Sequence, residues 1–234
     1  MIRTLFIIFF TVMTTGFFAV IAILTSFVSK GGEIPHKVAR IWAKCILAAS
    51  NITVTVKGLS HLNPNGSYIY MPNHMSNFDI PVLQAYLPVQ FRWLAKAELF
   101  KIPIFGYAME RAGCISINRF NRKSAIESLH KAAEIIKNGV SVIIFPEGTR
   151  SRDNNIQPFK KGGFVLAVDS GVPIIPVIIH GTRAVMQKKQ ILVNPGHVIL
   201  EIKKPINTLD YTRETKNDLM KKVRNVIRKS YERK

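Results

Sequence analysis

The chain of 234 residues is long enough for one medium-sized domain with a proper core, and 47% of it is hydrophobic. Lys and Arg number 33 against 14 Asp and Glu, a net charge of +19 that calls for an anionic partner: nucleic acid, acidic headgroups or a phosphorylated substrate. A chain this apolar is a poor nucleic-acid module and suits a membrane surface, while two isolated cysteines and six unpaired histidines argue against a disulfide framework and a metal site.

Residues 5–28 carry no charge and are long enough to span a bilayer, with Arg3 before them and Lys30 after. The run is too long for a signal peptide, and no small-x-small site precedes Lys30. Gly16 and several threonines leave open a helix that only dips into one leaflet. Gly31-Gly32-Glu33-Ile34-Pro35 then breaks the chain, and Pro35 can open a second helix at its first turn. In that helix Lys37, Arg40 and Lys44 share one face, and Val38, Trp42, Cys45 and Ala49 the opposite one. The pattern fits a helix at a lipid interface or one packed on a core.

Residues 51–56 alternate Ile52, Val54 and Val56 with polar partners, as a strand does. Asn51-Ile52-Thr53 matches a glycosylation acceptor and is discounted without a secretory context. Tyr68-Ile69-Tyr70-Met71 reads as a buried strand, followed by a helix reaching Tyr86 and a strand over 91–94. The apolar, prolyl stretch 98–107 suits either a groove lining or packing under the sheet. A short strand over 113–119 delivers Arg119 at its end, and Ser124 with Glu127 forms a capping-box pattern for a helix ending near Asn138-Gly139. Apolar strands are expected at 140–145 and 172–179, with a short helix to Asp169 between them. A further strand at 197–202 is placed at the sheet edge, and from Thr212 a basic helix shows Leu219, Val223, Val226 and Ile227 on one face. Strands alternating with helices predict an α/β fold with a largely parallel sheet flanked by helices, where sites gather at the carboxyl ends of strands.

Three polar clusters follow apolar strands. The first is Asn73-His74-Met75-Ser76-Asn77-Phe78-Asp79. On a continuous helix His74 and Asp79 would point roughly 140° apart. Across a strand-to-helix turn, the carboxylate can fold back onto the imidazole, fix its tautomer and leave the other nitrogen as a general base. A plain polar turn, with Asn73 and His74 satisfying backbone groups, is the alternative. The second cluster ends at Arg119, and the third is Pro146-Glu147-Gly148-Thr149-Arg150-Ser151-Arg152, with Lys160-Lys161-Gly162-Gly163 beyond it. Arginines and glycine turns of this kind suit a phosphate ester. Glu147 can accept from substrate hydroxyls or pair with Arg150 or Arg119. No G-x-S-x-G elbow occurs, so a covalent acyl-enzyme is not indicated.

Four blocks together resemble the glycerolipid acyltransferase family: Asn73-His74-x4-Asp79, residues 113–119, Phe145-Pro146-Glu147-Gly148-Thr149-Arg150-Ser151, and Val172-Pro173-Ile174-Ile175-Pro176. The resemblance covers roughly residues 57–181 and is greatest to the bacterial lysophosphatidate acyltransferases. It implies that His74, oriented by Asp79, deprotonates the sn-2 hydroxyl of 1-acyl-glycerol 3-phosphate, which attacks the thioester of acyl-CoA or acyl-carrier protein. Arg119, Glu147, Gly148, Thr149, Arg150 and Lys160 would hold the glycerophosphate, with no cofactor and no metal. Where the family commonly has an aromatic and an acidic residue, this chain has Ser116 and Asn118, so the acceptor contacts there can differ. The resemblance also implies a membrane anchor over 1–50, a catalytic domain over 51–234, an anionic membrane surface as partner, and the cytoplasmic face of a bacterial inner membrane. Another lysophospholipid, a lyso-ornithine lipid or glycerol 3-phosphate are alternative acceptors. A catalytically inert basic membrane-binding module is a more distant alternative.

Overall fold

A computed structural model describes every residue except Lys30, Pro64, Arg119, Phe120, Lys234 and the side chain of Arg122. Seven strands are formed: β1 (Ile52–Lys57), β2 (Ile69–Pro72), β3 (Phe91–Lys96), β4 (Ile115–Ile117), β5 (Ser141–Ile143), β6 (Ile174–His180) and β7 (Gly196–Ile202). They make one sheet in the order β1-β7-β6-β2-β5-β3-β4. Every neighbouring pair is parallel except β6 with β7. The expected α/β class holds. The strand at 196–202 is not at the edge, however: it lies between β1 and β6, because β1 pairs along its whole length and takes the outer position.

The described helices are α1 (Ile2–Ser26), α2 (Glu33–Ala49), α3 (Asp79–Tyr86), α4 (Ala97–Phe100), α5 (Phe105–Arg111), α6 (Arg122–Lys137), α7 (Gly162–Ser170), α8 (Thr182–Val185) and α9 (Lys216–Glu232). Side chains alternate across a strand, and the central strands are apolar on both sides, so the sheet carries two cores. Tyr70, Ile143, Ile175, Val177 and Ile179 pack toward α2 and α3. Ile69, Met71, Val142, Ile144, Ile174 and Ile178 pack toward α6, α7 and α9. Two helix starts differ from the sequence expectation. Asn121 rather than Ser124 caps α6, its side chain accepting the Ser124 N–H at 3.0 Å. The last helix begins at Lys216, after a turn in which Thr212 N–H bonds Thr215 Oγ1 at 2.8 Å.

α1 lies along the protein and is tied to it at both ends and in the middle. Arg3 donates to the Ser50 carbonyl (2.6 Å), Thr15 Oγ1 accepts from Trp42 Nε1 (3.0 Å), and Ser26 Oγ accepts from Arg111 Nε (2.7 Å). Small residues Ala19, Ala22 and Ala108 meet where α1 crosses α2 and α5. What remains outward is a stripe at helical spacing, Phe6, Phe9, Met13, Phe17, Val20, Leu24 and Phe27, with Phe9 65% and Phe17 62% exposed. On α2, Lys37 and Lys44 face outward. Arg40 turns inward instead and bonds the carbonyls of Leu87 (2.6 Å) and Val89 (3.2 Å), strapping α2 to the loop before β3.

Candidate active site

β2, β5 and β6 are adjacent and parallel, so the segments that follow them meet at one edge of the sheet. The last ladder partner of β2 is Pro72, opposite Val177. One residue on, Asn73 replaces the ladder with its side-chain amide, donating to Ile179 O (3.0 Å) and accepting from Ile179 N–H (2.8 Å). The chain can therefore leave the sheet without stranding a buried peptide group. Asp79 opens α3 and folds back. Its Oδ2 accepts from the N–H groups of Met75 (2.7 Å) and Ser76 (2.9 Å) and lies 2.8 Å from His74 Nδ1. An ionised carboxylate can only accept, so Nδ1 carries a proton, and in the neutral ring Nε2 then keeps its lone pair. The Asp79 side chain is fully buried and that of His74 is 13% exposed. Phe145 stacks on the imidazole at 3.8 Å and 17°, and Trp93 stacks in turn on Phe145.

The loop after β5 grips the backbone of His74 from both sides. Glu147, 1% exposed, accepts from His74 N–H with one oxygen (2.7 Å) and from Gln157 N–H with the other (2.8 Å). Ser151 N–H donates to the His74 carbonyl at 2.8 Å. Burial pushes the Glu147 carboxyl up to about 7, outweighing the two N–H donors that favour its charge. The sequence suggests contact of Glu147 with substrate hydroxyls or an arginine; the structure gives both of its oxygens to backbone N–H groups.

A cavity of about 390 Å³ opens from His74. Its lining combines Gly148, Thr149, Arg150 and Lys96 with apolar side chains: Phe18 and Ala22 of α1, Trp42 of α2, and Leu99, Phe105 and Met109. Gly148 has a φ of 73°, which favours glycine and lets the loop turn at the cavity wall. Lys188 does not line the cavity but backs this loop, donating to the Arg150 carbonyl and to Thr149 Oγ1 (3.3 Å). Burial and the neighbouring Arg152, Arg150, Lys189 and Lys96 hold its ammonium below the ordinary lysine range. Such a cluster of like charges favours a polyanionic ligand. Of the residues singled out from the sequence, His74, Gly148, Thr149 and Arg150 line this cavity, and Asp79 and Glu147 stand behind His74. Lys160 is exposed, does not line the cavity, and is joined to the site through its N–H on the Pro146 carbonyl at 2.8 Å. Arg119 lies outside the described residues. Sequence reasoning missed Lys96, Lys188 and Phe145 as site residues. Lys96 lies two residues past the strand expected at 91–94, whereas nothing local marks Lys188.

A family model described as Acyltransferase matches residues 53–180, more than half of the chain. The chain is 35% identical over 173 residues to the chloroplastic 1-acyl-sn-glycerol-3-phosphate acyltransferase BAT2 of Brassica napus, covering 73% of this chain and 50% of that protein. To the 1-acyl-sn-glycerol-3-phosphate acyltransferase of Saccharomyces cerevisiae it is 34% identical over 213 residues, 89% of this chain and 70% of the relative. The crystal structure of PlsC, the 1-acyl-sn-glycerophosphate (LPA) acyltransferase of Thermotoga maritima, superposes with a TM-score of 0.84 at 29% identity, over 99% of this chain and 94% of that one. With a His–Asp pair at the carboxyl edge of a parallel sheet and these similarities, the chain belongs to the acyltransferase family. Its relatives within that family include 1-acyl-sn-glycerol-3-phosphate acyltransferases, and the chain spans about half the length of the chloroplastic and algal ones it matches.

Proposed function

We propose that the protein transfers a fatty acyl group from a thioester donor, acyl-CoA or acyl-carrier protein, to the sn-2 hydroxyl of 1-acyl-glycerol 3-phosphate, giving phosphatidic acid. The observation that carries this reading is the cavity itself: His74 lines it together with the cations Lys96 and Arg150 and a set of apolar side chains. Nε2 of His74 takes the proton of the acceptor hydroxyl as its oxygen attacks the thioester carbonyl. Asp79 holds the imidazolium that forms. The tetrahedral oxyanion collapses, the carbon–sulfur bond breaks, and the thiolate leaves with the proton from Nε2. Arg150 and Lys96 receive the acceptor's phosphate, as bidentate and point-charge partners respectively, and Lys188 adds its charge from behind the loop that carries Arg150. The apolar part of the cavity takes an acyl chain.

The similarity to membrane-lipid acyltransferases and the outward stripe of α1 support a place at the membrane. Because α1 is bound along its length to the rest of the protein, we read it as lying in one leaflet, with its outer face in the acyl region and Lys37 and Lys44 available to anionic headgroups.

Acyl transfer from oleoyl-CoA to lysophosphatidate and to monoacylglycerol, which lacks the phosphate, tests the reading. Lysophosphatidate is expected to be preferred by at least a hundredfold in kcat/KM. Arg150→Ala should raise the KM for lysophosphatidate about ten- to a hundredfold and leave monoacylglycerol turnover nearly unchanged. Equal use of the two acceptors by the wild type would overturn the phosphate site.

A further inference from the structure

Asp79 is a buried carboxylate, and such a group needs donors around it. Its Oδ2 has His74, Met75 and Ser76. Its Oδ1 accepts from Thr182 Oγ1 at 2.5 Å. Thr182 is itself fully buried and opens α8 directly after Gly181. At Gly181 the backbone φ is 92°, and a Cβ there would lie 2.4 Å from the His197 carbonyl oxygen, so the turn that delivers Thr182 requires glycine. The same segment holds the His74 turn a second time: Ser76 Oγ donates to the Met186 carbonyl at 2.7 Å. Residues 182–186 thus clamp the turn at both Ser76 and Asp79. A threonine hydroxyl has one proton to give, and here Asp79 receives it.

We propose that Thr182 is a positioning residue for the His74–Asp79 pair: its hydroxyl sets the rotation of the carboxylate so that Oδ2 faces Nδ1 and Nε2 stays unprotonated. The kinetic consequence rests on the acyl-transfer reading above. Without the hydroxyl, Oδ1 loses a donor in a buried setting. The carboxylate is then free to turn from the ring. Thr182 does not line the cavity, so substrate binding is not its task.

The test compares wild type, Thr182→Val and Thr182→Ser with oleoyl-CoA and lysophosphatidate across pH, together with 15N spectra of the His74 ring assigned against His74→Ala. In Thr182→Val, kcat should fall roughly ten- to a hundredfold with KM unchanged. Thr182→Ser should stay within a few-fold of wild type. The spectra should show an Nδ1-protonated ring in wild type and the serine variant, and a mixture of tautomers in the valine variant. Wild-type turnover and spectra in Thr182→Val, or a serine variant as slow as the valine one, would overturn the proposal. Should Thr182→Val not fold, Thr182→Ala serves with the same expectations. A wild type that moves no acyl group sinks the acyl-transfer reading, and the 15N comparison still decides the role of Thr182.

Discussion

His74 is held through three of its parts at once. Asp79 takes the ring, Glu147 the N–H and Ser151 the carbonyl. Only the first of these contacts is local, five residues away, and it is the one that the sequence made legible. Glu147 lies 73 residues from its partner, and Thr182 lies 103 from Asp79. A single buried threonine carries no chemical signature, so no reading of the chain could select it. Glu147 gives a prediction of its own. Its carboxyl sits at about 7 in the folded protein against an ordinary value of 4.5, so the native state binds the proton more tightly than the unfolded chain does. Stability from this group is therefore present at low pH and lost as pH rises from about 4.5 through about 7. Glutamine cannot titrate. The stability of wild type relative to Glu147→Gln should drop by on the order of 2–3 kcal/mol between pH 5 and pH 8, as measured by denaturant unfolding at the two values. A difference independent of pH would show that the two N–H donors keep Glu147 ionised throughout.

At the scale of elements, the clusters at His74 and Glu147 stand after strands as expected, because the apolar runs of β2 and β5 end abruptly in Asn73 and Pro146, while Arg119, which ends the remaining cluster, lies outside the described residues. It could not order the strands. A strand at 197–202 looks like an edge when only its neighbours in sequence are considered, yet β1 pairs with it across more than a hundred residues. The basic face of α2 was similarly half legible. Helical spacing groups Arg40 with Lys37 and Lys44, but an arginine stem is long enough to reach two loop carbonyls, and Arg40 does so. The α1 stripe yields the prediction here. Phe9 and Phe17 are exposed and apolar, so Phe9→Asp with Phe17→Asp should weaken vesicle association about tenfold or more per site, and leave the unfolding midpoint unchanged. Sedimentation with phosphatidylglycerol-containing vesicles measures this. Binding equal to wild type would mean that α1 does not face lipid.

Over the whole molecule, one parallel sheet with a core on each face brings the ends of separate strands together, and a helical hairpin supplies the other wall of the cavity. The sequence predicted the sheet, an apolar first helix and an amphipathic second one. How the hairpin sits was beyond it, because composition cannot distinguish a spanning helix from one bound along a domain by Arg3, Thr15 and Ser26. The cavity shared between them links the helical hairpin to His74, and the proposed mechanism stands or falls on that base. The measurement that tests it most directly is transfer of labelled oleoyl groups from oleoyl-CoA to lysophosphatidate by the purified protein, with His74→Ala alongside and its fold and vesicle binding verified. Labelled phosphatidic acid is expected from wild type, with turnover in the variant lower by at least a thousandfold. A folded His74→Ala protein that turned over at the wild-type rate would contradict the mechanism.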